Sequence, residues 1–175
     1  MAPEVESHGG RVSSFVTRCL ARVAITPPAQ VLDVPCGFGR HASWLAQHGF
    51  DVAAIDNDPA RVRATQSAPA GSGSISTRLV DATTGLPFPR SSFDIALVIH
   101  YVSPTILHDV EAVLRPGAYL IYETFGGHGG NWRRLPVPGA VREDLEPRFG
   151  LLVYEERPVG PRDEAVAIKL LAQKR

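Results

Sequence analysis

The sequence has little cysteine, no excess of either charge and no long apolar run. Only Cys19 and Cys36 occur, without metal-site spacing, so we expect no metal and the reduced cytoplasm as compartment. Lysine plus arginine and aspartate plus glutamate number 18 each, which argues against a nucleic-acid partner. No apolar run approaches the roughly 20 residues of a membrane span, and residues 1–10 lack the basic start and apolar stretch of a signal peptide. We expect no membrane partner, and a monomer or homodimer.

What the sequence does contain is the composition of a folded globular protein. Apolar residues make up 44% of the chain, and its 175 residues suffice for one well-buried core. The polar residues 1–9 are predicted to be disordered. Residues 10–175 are predicted to form a single domain.

Alternation of apolar strands with helical patterns predicts an α/β fold. The fold is expected to be Rossmann-like, a seven-stranded, mostly parallel, doubly wound sheet with an antiparallel C-terminal strand pair. Predicted strands cover residues 31–34, 51–55, 75–80, 95–100, 118–123, 151–156 and 165–172. Predicted helices cover residues 10–22, the turn after strand one to 48, 59–66, 104–114 and 140–149. Residues 82–89 are too rich in glycine and proline for a long helix between strands three and four.

The stretch from Val31 to Ala42 organises the chain as a strand, a glycine turn and the start of a helix. Without a Cβ, Gly37 and Gly39 can take positive φ and admit a ligand close to the backbone. The free N–H groups at the helix start then face that ligand. The second strand ends in Asp56, where a carboxylate is placed to accept hydrogen bonds from two ribose hydroxyls. The pattern indicates a nucleoside-binding half-domain.

Two ligand classes compete for this site. The run from Gly37 to Ala42 fits G-x-G-x-x-G/A, which is typical of nicotinamide or flavin dinucleotide binding. Asp33 argues against that reading, because a carboxylate just before the turn would repel a pyrophosphate. It suits a ligand that carries an ammonium or sulfonium and no phosphate, such as S-adenosylmethionine (SAM).

Here the sequence resembles the class I SAM-dependent methyltransferases, whose first motif is D-x-G-x-G-x-G. Residues 33–39 read D-V-P-C-G-F-G, so Pro35 replaces the first glycine and cannot donate a hydrogen bond there. The acid after strand three, Asp81, is implied to take the adenine amino group, with Ala82 supporting the ring. The resemblance implies a SAM site that comprises Asp33, Cys36, Gly37, Phe38, Gly39, Arg40, Asp56, Asn57, Asp81, Ala82 and His100. Cys36 itself is expected to be a small packed side chain without nucleophilic chemistry.

Residues after strands four and five are expected near the methyl group. His100 and Tyr101 close strand four at the edge where ligands bind in open α/β sheets. The glycine-rich segment 126–130 is predicted to be a mobile lid, with Trp132 as an apolar wall of the acceptor pocket. His100, Tyr101 and Trp132 are therefore the catalytic candidates, although His100 as a packed residue and 126–130 as a plain surface loop remain open. Arg133 and Arg134 are either anion-steering groups or solvated loop residues.

Residues 122–125 and 152–156 also resemble the tellurite-resistance-type branch of small-molecule methyltransferases. That resemblance implies a small methyl acceptor. Two other functions stay open. One is an NAD(P)-dependent oxidoreductase on the same architecture, and the other is a SAM-binding protein without turnover.

Overall fold

The computed structural model describes residues 10–126 and 129–175. The segment predicted to be disordered, 1–9, and part of the predicted lid, Gly127 and His128, lie outside the described residues. The strands are β1 (Gln30–Asp33), β2 (Asp51–Asp56), β3 (Ser74–Leu79), β4 (Phe93–Ile99), β5 (Leu114–Glu123), β6 (Phe149–Val159) and β7 (Ala165–Lys174). The helices are α1 (Ser14–Leu20), α2 (Arg40–Gln47), α3 (Pro59–Gln66), α4 (Ile106–Val113) and α5 (Ala140–Leu145), with 3-10 turns at Ala82–Thr84 and Gly129–Arg134.

All seven strands lie in one sheet in the order β3-β2-β1-β4-β5-β7-β6. Neighbours from β3 to β5 pair in parallel, whereas β7 is antiparallel to both β5 and β6. This confirms the predicted mostly parallel sheet with its antiparallel C-terminal pair. The antiparallel pair needs only a short turn because successive antiparallel strands can be joined directly, without a crossover.

Helices α1 and α3 each begin next to a residue whose side chain caps the helix. The Asp58 carboxylate accepts the Ala60 N–H at 2.7 Å and Pro59 takes the first helical position, which confirms the predicted start of α3. The first helix is shorter than the predicted span 10–22. It begins at Ser14, because the Ser13 hydroxyl accepts the Phe15 N–H at 3.2 Å and caps the helix there.

The junction between α4 and β5 differs from the prediction. The helix ends at Val113, and β5 begins at Leu114 rather than at residue 118. The Lys174 ammonium donates to the carbonyls of Glu111 and Leu114 at 2.6 and 2.7 Å, which satisfies acceptors at the helix end. A register shift in β4 between Phe93 and Ile95 accommodates the extra residues of β5. Lys174, far away along the chain, thus helps to set the boundary between α4 and β5.

The sheet is covered on both faces. One apolar cluster joins α1 and α2 to side chains such as Val31, Leu97 and Ile121. The other joins α4 and α5 to Leu32, Val98 and their neighbours on the opposite face. Burial on both faces explains why the central strands read as continuous apolar runs. As predicted, only the 3-10 turn Ala82–Thr84 stands between β3 and β4 in place of a long helix.

Candidate functional site

The strand order reverses beside β1, which lies between β2 and β4. In open α/β sheets, a crevice forms outside the carboxyl ends of the strands at such a reversal. The turns after β1, β2 and β4 meet there, and a cavity of about 180 Å³ opens among them. Its walls bring together the predicted residues Asp56, Asn57, Asp81, Ala82, His100 and Tyr101.

The two glycines of the turn have different roles. Gly37 has a φ of 55°, and a Cβ built there would meet no described atom within 4 Å. Its backbone therefore faces open space, as the ligand prediction requires. Gly39 has a φ of 80°, but a Cβ there would lie 2.8 Å from the Thr65 hydroxyl and 3.0 Å from the Thr65 Cα. Glycine is therefore needed at position 39 so that helix α3 can pack against the turn. The sequence-based prediction that Gly39 makes room for a ligand is corrected on this point.

Pro35 does not leave the turn unsupported. The next residue, Cys36, donates its N–H to the Ile55 carbonyl at 2.8 Å, and Gly37 donates its N–H to the Asp56 carboxylate at 2.9 Å. The turn is thus tied to the end of β2 by two backbone donors that follow the proline. Asp56, which is predicted to bind the ribose, therefore also fixes the glycine turn.

Asp33 is almost fully buried, with 1% of its surface exposed. Neither carboxylate oxygen has a hydrogen-bond partner among the described residues. Burial raises the pKa of this carboxyl from 3.8 to about 7, although the nearby Arg40 charge offsets part of the rise. An unpaired buried carboxylate is costly unless a partner binds it, so this position suits a cationic ligand group.

Asp56 is buried and well ordered by hydrogen bonds. Besides the Gly37 N–H, it accepts the Asp58 N–H at 3.0 Å. The Arg61 guanidinium approaches the same carboxylate at 3.7 Å and lies over the exposed Phe38 ring at 5.8 Å. Arg61 lines the cavity and was missed by the sequence reasoning. The available signal was its place in the first turn of the helix that follows the acid.

Asp81 lines the cavity, as predicted, and also makes hydrogen bonds within its own turn. The Asp81 carboxylate accepts the N–H and hydroxyl of Thr83 at 2.9 and 2.7 Å, which lowers its pKa. It therefore caps the 3-10 turn while it lines the cavity, and its adenine contact stays a prediction.

Cys36 is buried beside the Thr65 hydroxyl at 3.6 Å, and burial raises its thiol pKa to about 12. A protonated, buried thiol fits the expected packing role.

His100 connects two cavities. It lines the first, with Tyr101, and also a second cavity of about 300 Å³ beyond the ends of β4 and β5. Its backbone takes the left-handed conformation, with a φ of 57°, and its ring meets Phe125 edge-on at 4.7 Å. Partial burial lowers the pKa of its imidazole, which favours the neutral ring. Strain of this kind in a non-glycine residue often accompanies a functional position.

The second cavity contains a charged network that the sequence reasoning did not anticipate. Glu123 ends β5, and its carboxylate accepts the Ser13 hydroxyl at 2.6 Å and pairs with the Lys169 ammonium at 3.1 Å. These donors outweigh burial and lower the Glu123 pKa. The Ser13 N–H donates to His41 Nε2 at 3.3 Å, and burial lowers the His41 pKa to about 4. The sequence did contain a signal for Glu123. It is an acidic residue at the end of an apolar strand, as Asp33 and Asp56 are.

Seven predicted site residues line neither cavity: Asp33, Cys36, Gly37, Phe38, Gly39, Arg40 and Trp132. The Trp132 ring packs against Gly160, where a Cβ would lie 2.9 Å from the ring. It also carries the Arg133 guanidinium above it at 5.4 Å. Arg40, at the start of α2, runs alongside Gly10. The structure therefore does not bring Trp132 to the acceptor region.

Comparison with known proteins agrees with this geometry. Residues 31–117 match the family described as a methyltransferase domain. The chain contains a methyltransferase domain of this family, and its fold is that of the class I SAM-dependent methyltransferases. SAM is the cofactor of this family, which agrees with the sequence-based assignment. An uncharacterized methyltransferase of Synechocystis is 32% identical over 106 residues, which cover 56% of this chain and 48% of that protein. The chain thus spans about half the length of that curated relative.

Solved structures share the fold of this methyltransferase domain. A TehB-like SAM-dependent methyltransferase from Corynebacterium glutamicum is 19% identical, with a TM-score of 0.68 over 95% of this chain and 90% of that one. The 1,6-didemethyltoxoflavin-N1-methyltransferase of Burkholderia thailandensis, solved with 1,6-didemethyltoxoflavin and S-adenosylhomocysteine, is 21% identical. Its TM-score is 0.58 over 84% of this chain and 71% of that one. At these identities the likeness concerns the fold.

The methyltransferase domain has side chains that fit SAM. The unpaired Asp33 carboxylate matches an ammonium group, Gly37 leaves open space beside the backbone, and Asp56 offers a buried carboxylate to ribose hydroxyls. No cluster of metal-ligating side chains occurs in residues 10–126 and 129–175. Over the same residues, every helix is too short or too polar to cross a bilayer.

Proposed function

We propose that this protein binds SAM at the carboxyl edge of β1 and β2 and transfers the methyl group to a small-molecule acceptor. The observation that carries the proposal is Asp33, a buried carboxylate without a partner among the described residues, at the end of β1 in a methyltransferase family. SAM supplies an electrophilic methyl group on a sulfonium. The protein supplies binding, alignment and exclusion of water.

Different residues contact different parts of SAM in this proposal. Asp33 pairs with the ammonium of the methionine part, and Gly37 lets that part approach the backbone. Asp56, held by two backbone N–H groups, accepts the ribose hydroxyls. Asn57, Asp81 and Ala82 line the nucleoside part of the cavity. The remaining turn residues, Cys36, Gly39, Phe38 and Arg40, shape the turn around the ligand.

His100 marks the place of transfer, because it is shared by the nucleoside cavity and the second cavity. Its neutral imidazole can accept a proton from an acceptor whose nucleophile is protonated before attack. Tyr101 lines the nucleoside cavity beside it. An acceptor that is already anionic needs no base, and His100 then serves only to align it.

The second cavity supports a small acceptor. Its volume of about 300 Å³ lies at the lower end of small-molecule sites. The structural neighbour from Burkholderia thailandensis was solved with 1,6-didemethyltoxoflavin bound, and another neighbour is TehB-like, which supports the tellurite-resistance-type branch. We further propose a cytoplasmic location, since Cys19 and Cys36 are free thiols.

Calorimetry with S-adenosylhomocysteine (SAH), SAM and NAD tests the cofactor assignment. SAH and SAM are expected to bind and NAD is not, because Asp33 repels a pyrophosphate. Tighter binding of NAD would contradict the proposal. Transfer of radiolabel from SAM into a panel of small nucleophiles then tests the reaction. SAH binding without turnover on any acceptor would favour a non-catalytic SAM-binding protein.

A further inference from the structure

One cation in the second cavity has no counter-ion among the described residues. Arg157 of β6 lines that cavity, and its guanidinium makes no hydrogen bond or ion pair with the other described residues. A guanidinium carries five donors in a planar fork that matches carboxylates. An arginine in this state at the wall of a cavity is available to a ligand.

Neighbouring small residues leave room for the Arg157 side chain at this wall. A Cβ at Gly126 would collide with the Arg157 guanidinium and would lie 3.1 Å from the Ala167 Cβ. Ala167 is the cross-strand partner of Arg157 on β7. The absence of a side chain at Gly126 therefore makes the space that the guanidinium fills, just past the end of β5. Arg157 is itself exposed, and its guanidinium lies in that space at the wall of the cavity.

The other charges of the cavity are largely accounted for within the protein. Lys169 pairs with Glu123 at 3.1 Å and is the cross-strand partner of Glu155. Glu156 accepts the Tyr154 hydroxyl at 2.5 Å and the Gly139 N–H at 3.3 Å. Glu155 faces Lys169 across the strand pair, where opposite charges attract each other, but the Lys169 ion pair among the described residues is with Glu123. Arg157 is left as the cation that needs a partner.

We propose that the methyl acceptor carries a carboxylate or similar planar anionic group, which Arg157 binds through its guanidinium. This inference rests on the proposed methyl transfer. An anionic group on the acceptor is also attracted to the cationic cofactor, whereas a cationic acceptor is repelled by it. Arg157 thus selects the acceptor while the nucleophilic atom lies toward His100, the residue shared by both cavities.

Matched probes on SAH-saturated protein test this inference. Benzoate, benzamide and benzylamine form one set, and hexanoate, hexanamide and hexylamine form the other. Calorimetry is expected to show binding of a carboxylate in at least one set, tighter than its amide and amine. Arg157→Gln should weaken the carboxylate at least tenfold, and Arg157→Lys less, because lysine keeps the charge but loses the fork. Arg162→Gln, an exposed arginine in the β6–β7 turn, is the matched control and should change nothing.

Gly126→Ala gives an independent variant, since its Cβ would displace the guanidinium and should weaken the same carboxylate. SAH affinity should stay unchanged in every variant, which separates this site from the cofactor site. If the wild-type protein does not bind SAH, the proposed function fails. If SAH binds but carboxylates bind no better than amides or amines, or Arg157→Gln leaves their affinity unchanged, the inference alone is overturned. Tighter amine binding that is lost in Glu155→Gln would assign a cationic acceptor instead.

Discussion

Replacement of Asp33 by asparagine is expected to stabilise the ligand-free protein. The folded protein raises the pKa of this carboxyl from 3.8 to about 7, so it binds a proton more tightly than the unfolded chain does. Stability therefore falls as the pH rises from about 4 to 7. One pKa unit corresponds to about 1.4 kcal/mol, which sets an upper bound of about 4 kcal/mol on the cost of ionising Asp33 above pH 7. Asparagine removes the charge with little change in shape.

Denaturant unfolding at pH 5 and pH 8 measures this effect. Asp33→Asn should gain a few kcal/mol at pH 8 and clearly less at pH 5, because the wild-type loss of stability accumulates between about pH 4 and pH 7. Asp163→Asn is the matched control, because Asp163 is exposed in the β6–β7 turn. Equal unfolding free energies for wild type and Asp33→Asn at both pH values would refute the argument that a charge is buried without a partner.

The same substitution is expected to weaken cofactor binding. Loss of a charged acceptor for the ammonium group should cost about 1.5–3 kcal/mol in SAH affinity at pH 8. 5′-Methylthioadenosine, which lacks that ammonium, should lose much less. Wild-type affinity for SAH should rise from pH 5 to pH 8, because the ammonium pairs with the ionised carboxylate. Equal losses for the two ligands would show that Asp33 acts on the fold rather than on the ammonium.

Three further predictions concern other residues. Asp56→Ala should weaken SAH binding by about 2–4 kcal/mol, because two ribose hydroxyls lose a charged acceptor, and Asp81→Ala should weaken it less; calorimetry measures both. Gly39→Ala should lower the unfolding free energy by about 1–3 kcal/mol and by more than Gly37→Ala, since only the former Cβ meets a neighbouring helix. Trp132→Ala should lower the melting temperature, because its ring packs against Gly160, and should leave turnover unchanged and SAH affinity within about twofold; a loss of turnover would return Trp132 to the acceptor pocket.

Local patterns in the sequence were enough for the fold class and the cofactor. Apolar runs such as residues 95–99 indicate strands that are buried on both faces, and Asp58-Pro59 sets a helix start through contacts only two residues apart. The glycine turn and its flanking acids, Asp33 and Asp56, lie within 24 residues, so one stretch of chain carries most of the cofactor site. These features depend on neighbours along the chain, which the sequence displays directly.

Tertiary structure decided what depends on residues far apart in the chain. Ser13 and Glu123 are 110 positions apart, yet their hydrogen bond holds the start of α1 against the end of β5. Gly39 is required by Thr65, and the space beside Gly126 is filled by Arg157 from another strand. The sequence marks Asp33 as an acid, but only the packed fold removes its water and leaves it unpaired. Burial and cross-strand proximity arise when the sheet closes, and no local pattern specifies them.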